Sequence, residues 1–308
     1  MTRSRRWFTQ TFLLASSGVT LALTSERQAY AQDVIAVNTS EAFVQAIGPN
    51  RTIELASGSF TLSDLDPGLQ TRHVRFESVF DGYELVIADV ENLTIVGTDN
   101  TLSRLLTQPR YADVLKFINC RNLTLQNLEL AHTKDAGFCR GSVLSFGNCQ
   151  TVVIDQCVLV GSGTHGIEAQ VLSDLTCRAS VIKECTYGIL CLDQASAIRF
   201  EDCQFYENAG FSMVDLSDCE QVSFVNCLMY DNASDSRYGF YNDFMFNIWQ
   251  SQSIEVVDCQ LYNNLVPYLA PSTAALTLTN IALEGNSFPP NALYPDDPSI
   301  QSPPFCPI

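Results

Sequence analysis

The sequence predicts an all-β solenoid, a single stack of strand-built rungs, and three observations carry that prediction. A six-residue phrase keeps returning: Leu123-Thr124-Leu125-Gln126-Asn127-Leu128, Val152-Val153-Ile154-Asp155-Gln156-Cys157, Ile198-Arg199-Phe200-Glu201-Asp202-Cys203, Val222-Ser223-Phe224-Val225-Asn226-Cys227, and Ile254-Glu255-Val256-Val257-Asp258-Cys259. With a weaker copy at Leu175-Thr176-Cys177-Arg178-Ala179-Ser180 between Cys157 and Cys203, the copies follow one another at twenty-odd residues, with one wider gap before Cys259, and a period in that range marks supersecondary units that stack. Within each copy apolar and polar residues alternate, which is strand period rather than helix period. Cys157, Cys203, Cys227 and Cys259 hold one slot of the phrase, so stacking would set them in a column.

The elements follow in order. Arg3, Arg5 and Arg6 precede a moderately apolar run at 8–23, and Ala29-Tyr30-Ala31 has the small-residue pattern of a cleavage site, so residues 1–31 read as an export signal. Ser4-Arg5-Arg6-Trp7-Phe8 resembles the twin-arginine export consensus, which implies passage across the membrane in the folded state. Ser, Gly and Thr interrupt the run, and a span needs about 20 apolar residues, so no membrane span is expected after cleavage and the mature protein is expected in the periplasm or outside the cell. Residues 32–89 are expected to form a cap and the first rungs. Thr39 or Ser40 N-caps a short helix whose apolar stripe is Ala42, Phe43, Ala46 and Ile47, and Gly48-Pro49-Asn50 stops it. A strand follows at 52–55, and Phe80-Asp81-Gly82-Tyr83 signals a turn. Residues 90–286 hold the repeats. Each has a first strand (152–155 in one rung), a short second strand (158–160), a loop, and a third strand (166–170). The third strand recurs at 142–146, 188–192, 212–216 and 244–248. Residues 287–308 are a proline-rich tail, wrapped or mobile rather than a further rung.

Charge excludes some partners. Seventeen Lys and Arg stand against 34 Asp and Glu in 308 residues, a net charge of −17. Nucleic acid is excluded, because phosphate binding needs clustered cations. Polyanions are disfavoured unless a local basic cluster or a bridging cation intervenes. Twelve cysteines in an exported chain would ordinarily imply disulfides. Their columns, with a second one at Cys120, Cys149 and Cys219, read instead as reduced core thiols. There is no Cys-x-x-Cys pair and the three histidines are off zinc spacing, so no transition metal is expected.

The phrase Asn122-Leu123-Thr124-Leu125-Gln126-Asn127-Leu128, repeated at this period, resembles the right-handed parallel β-helix proteins of the pectate-lyase-like superfamily, as does the entry from Ala42-Phe43 to Gly58-Ser59-Phe60. The resemblance spans roughly residues 35–286 and implies a single right-handed parallel β-helix of about eight rungs with an N-terminal helical cap. It implies chemistry in a groove along one side of the solenoid. It does not name the chemistry, since one fold hosts many.

The loops between second and third strands collect the reactive residues: His132, Lys134 and Arg140, then His165, then a long loop with Asp231, Asp235, Arg237, Tyr238, Tyr241 and Asp243. In the adjoining third strands the alternation puts Ser145, Glu168, Asp215 and Asn247 outward, with the Cys191 rung fitting less well. Glu168 and Asp215 then lie two rungs apart, roughly 10 Å by sheet spacing, a separation that suits an inverting hydrolase and equally a solvated polar face. Ser162-Gly163-Thr164-His165-Gly166 resembles an element of polygalacturonases. That family's Asn-Thr-Asp, Asp-Asp and Arg-Ile-Lys elements have no counterpart, so His165 reads equally as a turn residue. His132 or Lys134 would serve as the base that removes the C5 proton of a uronic acid, with Arg140 and Arg237 on the carboxylate, the logic of lyases and epimerases in the superfamily. Tyr238 and Tyr241 would stack on sugar rings. Asp231, Asp235 and Asp243 offer oxygen ligands for Ca²⁺, the one cofactor candidate. The sequence is thus read as an exported protein acting on or binding polysaccharide, of lyase, epimerase or glycoside hydrolase type; the rival is a non-enzymatic envelope or surface scaffold.

Replacing Arg5 and Arg6 by Lys is expected to stop export and leave folded protein in the cytoplasm, as fractionation would show; unchanged secretion would mean the general secretory route.

Overall fold

A computed structural model describes residues 33–98, 103–133, 140–161, 163–234, 243–271, 275–288 and 293–294. The export segment 1–31 lies outside the described residues. The copies of the repeated phrase form one parallel ladder: Asp33–Val37, Arg51–Leu55, Glu91–Gly97, Arg121–Gln126, Leu144–Asp155, His165–Arg178, Gly188–Glu201, Glu220–Val225, Gln252–Val257 and Leu276–Thr279. The register keeps phrase positions aligned, with Leu93, Leu123, Val152, Leu175, Ile198, Val222, Ile254 and Leu276 in one line. The short second strands stack into a separate parallel sheet from Gly58–Thr61 to Ala282–Glu284. A third face joins Leu115–Ile118, the leading parts of the three long strands, Val214–Ser217 and Phe246–Trp249. The result is a parallel β-helix.

One expectation is corrected. The third strand of one rung and the first strand of the next were expected as separate strands closed off by turn residues. In the central rungs they run as single strands of 12, 14 and 14 residues, Leu144–Asp155, His165–Arg178 and Gly188–Glu201. The chain turns the corner on isolated left-handed residues, Asn148 and Thr151, Val171 and Asp174, Gln194 and Ala197, which redirect the backbone without breaking the ladder. The same geometry explains the asparagines before the phrase. Asn50, Asn92 and Asn122 have φ of 57°, 57° and 53°, a region asparagine tolerates better than most residues. Each Nδ2 donates to the asparagine one rung back, Asn92 to Asn50 and Asn122 to Asn92, both at 2.7 Å.

Stacking also organises the interior. Phe117 lies on Phe146 with ring centroids 5.5 Å apart, and Phe200 on Phe224 at 5.0 Å. Asn208, Asn232, Asn264 and Asn286 form an internal amide ladder, each Nδ2 donating to the next Oδ1 at 2.8–2.9 Å and to a backbone carbonyl. Nine described cysteines are buried thiols, Cys203 Sγ lying 3.9 Å from Cys177 Sγ. Cys191 is disulfide-bonded.

The entry is capped as expected. Thr39 N-caps the helix Ser40–Ala46, its Oγ1 accepting from Ala42 N at 3.1 Å, and Phe43 and Val44 are fully buried. The turn at Phe80-Asp81 closes an antiparallel hairpin of Val74–Val79 and Gly82–Ala88, whose second strand joins the third face with Val86 beside Lys116. The tail contributes a two-residue strand, Leu293–Tyr294, paired with Ala270–Pro271.

Asn232→Ala is expected to cost on the order of 2 kcal/mol or more, because it leaves Asn208 and Asn264 with buried, unmet amide groups. Asn92→Ala, on the exposed ladder, is expected to cost less. Equal losses in denaturant unfolding would contradict the internal ladder.

Candidate functional site

The third face alternates core and wall. Leu144, Ile167, Leu190, Val214 and Phe246 align inward. The residues one position on form a second line: Lys116, Ser145, Glu168, Cys191, Asp215 and Asn247. Ser145, Glu168, Asp215 and Asn247 thus fall in register as the alternation requires, and Cys191 fits the same line between the two carboxylates. The line is not a solvated face, however. Ser145 and Glu168 are 2% exposed, Cys191 0% and Asp215 7%.

His165 ties this line together. It opens the strand His165–Arg178, three residues before Glu168, so its ring folds back along the wall. Nδ1 lies 3.0 Å from Glu168 Oε1 and Nε2 lies 3.9 Å from Asp215 Oδ2. Room for the ring comes from Gly188, where a Cβ would stand 3.3 Å from His165 Cδ2. Glu168 Oε1 also accepts from Thr164 Oγ1, and Asn247 Nδ2 donates to Asp215 Oδ1 at 2.8 Å. Glu168 accepts from Nδ1, and Nε2 is turned toward Asp215. That Nε2 is buried and without a hydrogen-bond partner. An imidazole therefore bridges Glu168 and Asp215, where a two-carboxylate hydrolase would leave room for water.

Three further groups extend the cluster. Lys116 Nζ stands 3.0 Å from Glu84 Oε1 and 4.0 Å from Asp113 Oδ2. Asp113 Oδ1 accepts from Ser142 N and Ser142 Oγ at 2.8 and 2.7 Å. Burial, then the charges of Glu84 and Glu168, push the Asp113 carboxyl up to about 7. Burial pushes Asp215 up to about 6 against the opposing pull of His165 and Asn247, and burial likewise raises Asp243, beside Ser234, to about 6. Burial would lower Lys116, but the Glu84 and Asp113 carboxylates outweigh it and hold the ammonium above its usual range. Sequence reasoning missed Glu84, Asp113 and Lys116. Leu115-Lys116-Phe117 has the alternation of Leu144-Ser145-Phe146, so extending the column one rung would have found the lysine.

His132 does not join the line. It ends the strand Leu128–His132 of the second sheet, opposite Thr107. Its Nε2 donates to Ala112 O at 2.8 Å, and Nδ1 is buried without a partner. Burial holds its ring below the usual histidine range, and the charges that act on it are Asp81 and Arg110. Arg140 is exposed. Asp231 is exposed at the turn after Leu228–Tyr230, while Asp243 is buried. Lys134, Asp235, Arg237, Tyr238 and Tyr241 lie outside the described residues. Among the described residues, the donors that converge within 4.8 Å are those of His165, Cys191 and Asp215. A disulfide sulfur is no thiolate ligand, which leaves two donors, short of a zinc set and of the oxygen shell Ca²⁺ takes.

A family model described as "Right handed beta helix region" matches residues 114–288. No protein of curated function matches the sequence. Among solved structures, an alginate lyase from Paenibacillus sp. str. FPU-7 superposes with a TM-score of 0.50 at 13% identity, over 85% of this chain and 97% of that one. A pectate lyase from Paenibacillus sp. 0602 gives 0.47 at 9% identity, over 82% and 78%. The surface protein and adhesin PfbA of Streptococcus pneumoniae gives 0.46 at 7%, over 78% and 66%. At these identities the likeness is one of fold.

The raised carboxyls set a pH dependence. Asp113, at about 7, and Asp215 and Asp243, at about 6, keep protons in the folded chain that the unfolded chain releases near pH 4. The stability they supply is complete below that value and is lost as pH rises through about 6 to 7. The melting temperature is expected to fall between about pH 5 and pH 8. Asp113→Asn, which keeps an acceptor for Ser142, is expected to remove part of that fall; an identical slope in the variant would contradict the assignment.

Proposed function

The chain belongs to the right-handed β-helix family, and from that premise we propose that it is an exported protein acting on polysaccharide through a lyase- or epimerase-type proton transfer. One observation carries the reading: His165 Nε2 is buried without a hydrogen-bond partner, on a ring that Glu168 orients, facing a carboxyl raised to about 6. A carboxylate–imidazole pair of this kind fixes the tautomer and leaves the far nitrogen as a base. On a uronic ring, Nε2 would take the C5 proton. In elimination the C5–H and C4–O bonds break, a C4–C5 double bond forms, and protonated Asp215 gives its proton to the departing oxygen. Two titrating groups held at different values beside one another suit that division of labour. In epimerisation the proton returns to the opposite face of C5 instead. The export pattern in residues 1–31 and the predominance of buried thiols, nine beside the one disulfide at Cys191, fit a protein that folds in a reducing compartment before it leaves the cell. One of the structures that share its fold is an alginate lyase.

A non-enzymatic surface scaffold is the second reading. One observation favours it: His165 and Glu168 are each 2% exposed, so substrate reaches Nε2 only if the wall opens over it.

The test uses purified mature protein against a polysaccharide panel, following reducing ends and the absorbance of unsaturated uronides. His165→Gln and Glu168→Gln are expected to lose about 100-fold or more of any turnover while melting close to wild type. Glutamine is chosen because His165 is buried, and alanine would strand Glu168. Turnover retained in His165→Gln overturns the assignment, and no turnover on any polymer favours the scaffold.

A further inference from the structure

Most described cations of this acidic chain are paired: Arg75 with Glu77, Arg104 with Glu129, Lys116 with Glu84, Arg178 with Asp155, Lys183 with Glu184 and Arg199 with Glu201. Arg51, Arg72, Arg110, Arg121 and Arg140 have no ion pair among the described residues, and of these Arg110 and Arg140 meet through their backbones. The backbone N–H groups of Arg140 and Gly141 both donate to the carbonyl of Arg110 at 2.8 Å. Arg110 lines a cleft of about 350 Å³ with Phe76, Asp81, Tyr83 and Gln108. At its rim Phe80 is 86% exposed, Tyr83 47% and Tyr111 37%, and the Phe80 and Tyr111 rings meet with centroids 5.1 Å apart.

This rim is built rather than accidental. The Asp81 carboxylate accepts from Arg110 N at 2.7 Å and Tyr111 N at 3.2 Å, which pins the hairpin tip to the segment carrying Tyr111. Pro109 closes on Gly82, where a Cβ would stand 2.6 Å from its Cγ. Gln108 N donates to Ser63 Oγ at 3.1 Å. Aromatic faces held open to water with polar groups beside them suit a ligand that is apolar on one face and hydroxylated at its edge. In a chain of net charge −17, a cleft-lining guanidinium with no ion pair among the described residues is where an anion is attracted rather than repelled.

We propose that this cleft is a binding subsite for a sugar residue that bears a carboxylate, its ring stacked on Phe80 and Tyr111 and its carboxylate held by Arg110. The ligand class rests on the polysaccharide reading; the location does not. Tyr111 is followed by Ala112 and by Asp113 of the buried cluster, so a sugar chain seated here abuts the Lys116 end of the line that contains His165.

The test is calorimetric titration of the full mature protein with a galacturonate trimer and a mannuronate trimer, with galactotriose as the uncharged control. An acidic trimer is expected to bind, and galactotriose to bind more weakly by about tenfold or more. Arg110→Gln is expected to weaken the acidic trimer about tenfold, and added salt is expected to narrow that difference. Phe80→Ser, at a side chain already 86% exposed, is expected to weaken all binding without lowering the melting temperature. Wild type that binds neither acidic trimer, or variants that bind as wild type does, overturns the subsite. If His165→Gln loses turnover while Arg110→Gln binds normally, only the subsite fails. If Arg110→Gln loses binding in a protein that turns over nothing, the subsite stands and the catalytic reading fails.

Discussion

Parallel, in-register stacking sets each residue about 4.8 Å from its counterpart one rung away, so every position must tolerate a near-copy of itself. An amide does this well, because it donates and accepts in the same direction; the internal ladder Asn208, Asn232, Asn264 and Asn286 and the external one through Asn50, Asn92 and Asn122 follow. Phenyl rings stack, as Phe117 on Phe146 and Phe200 on Phe224 do. Small thiols are buried along the stack. Carboxylates cannot stack in this way without a proton or a cation between them. In the line through the third face, Glu168 and Asp215 are accordingly separated by the neutral Cys191.

The wall is nevertheless overloaded with acid. Glu84, Asp113, Glu168, Asp215 and Asp243 are all buried, against Lys116 and the imidazole of His165. The chain lowers the cost of that arrangement by keeping protons on Asp113, Asp215 and Asp243 to higher pH than exposed carboxyls would. A purely structural wall gains nothing from carboxyls in such a place, since alternating apolar and amide residues would satisfy the same ladder. Perturbed carboxyls around a histidine with an unpartnered nitrogen are what the proposed proton transfer would draw on.

Periodicity made much of this legible. The alternation in 142–146, 166–170 and 212–216 was enough to place Ser145, Glu168 and Asp215 in one line, and the helix start was narrowed to Thr39 or Ser40, of which Thr39 is the cap. Burial of that line was not legible, because the sequence pattern of an outward position is the same whether water or other chain covers it. His132 was misplaced for a related reason. Its position at the end of a second strand suggested the loop corner, but side-chain direction at a strand end depends on what packs there, and Ala112 O captures its ring. Glu84 and Asp113 enter from a hairpin and a connecting segment with no counterpart in the other rungs, so no column pointed to them. The long strands through 144–155, 165–178 and 188–201 were hidden because a pair of left-handed residues changes direction at each corner without breaking the ladder.

That last contrast bears on where a solenoid keeps its chemistry. Positions inside the repeat answer to their neighbours above and below, and their freedom to vary is small. Departures from the repeat carry no such obligation. Here the hairpin Val74–Val79 and Gly82–Ala88 breaks the parallel order of the stack, and it is this element that brings Glu84 to Lys116 and sets Asp81 under the segment bearing Arg110 and Tyr111. Its second strand then re-enters the third face through Val86 beside Lys116, so the irregular element is locked to the regular one at the start of the acidic line. The repeat supplies a rigid ruler, and the hairpin supplies the groups that the ruler could not have placed by copying.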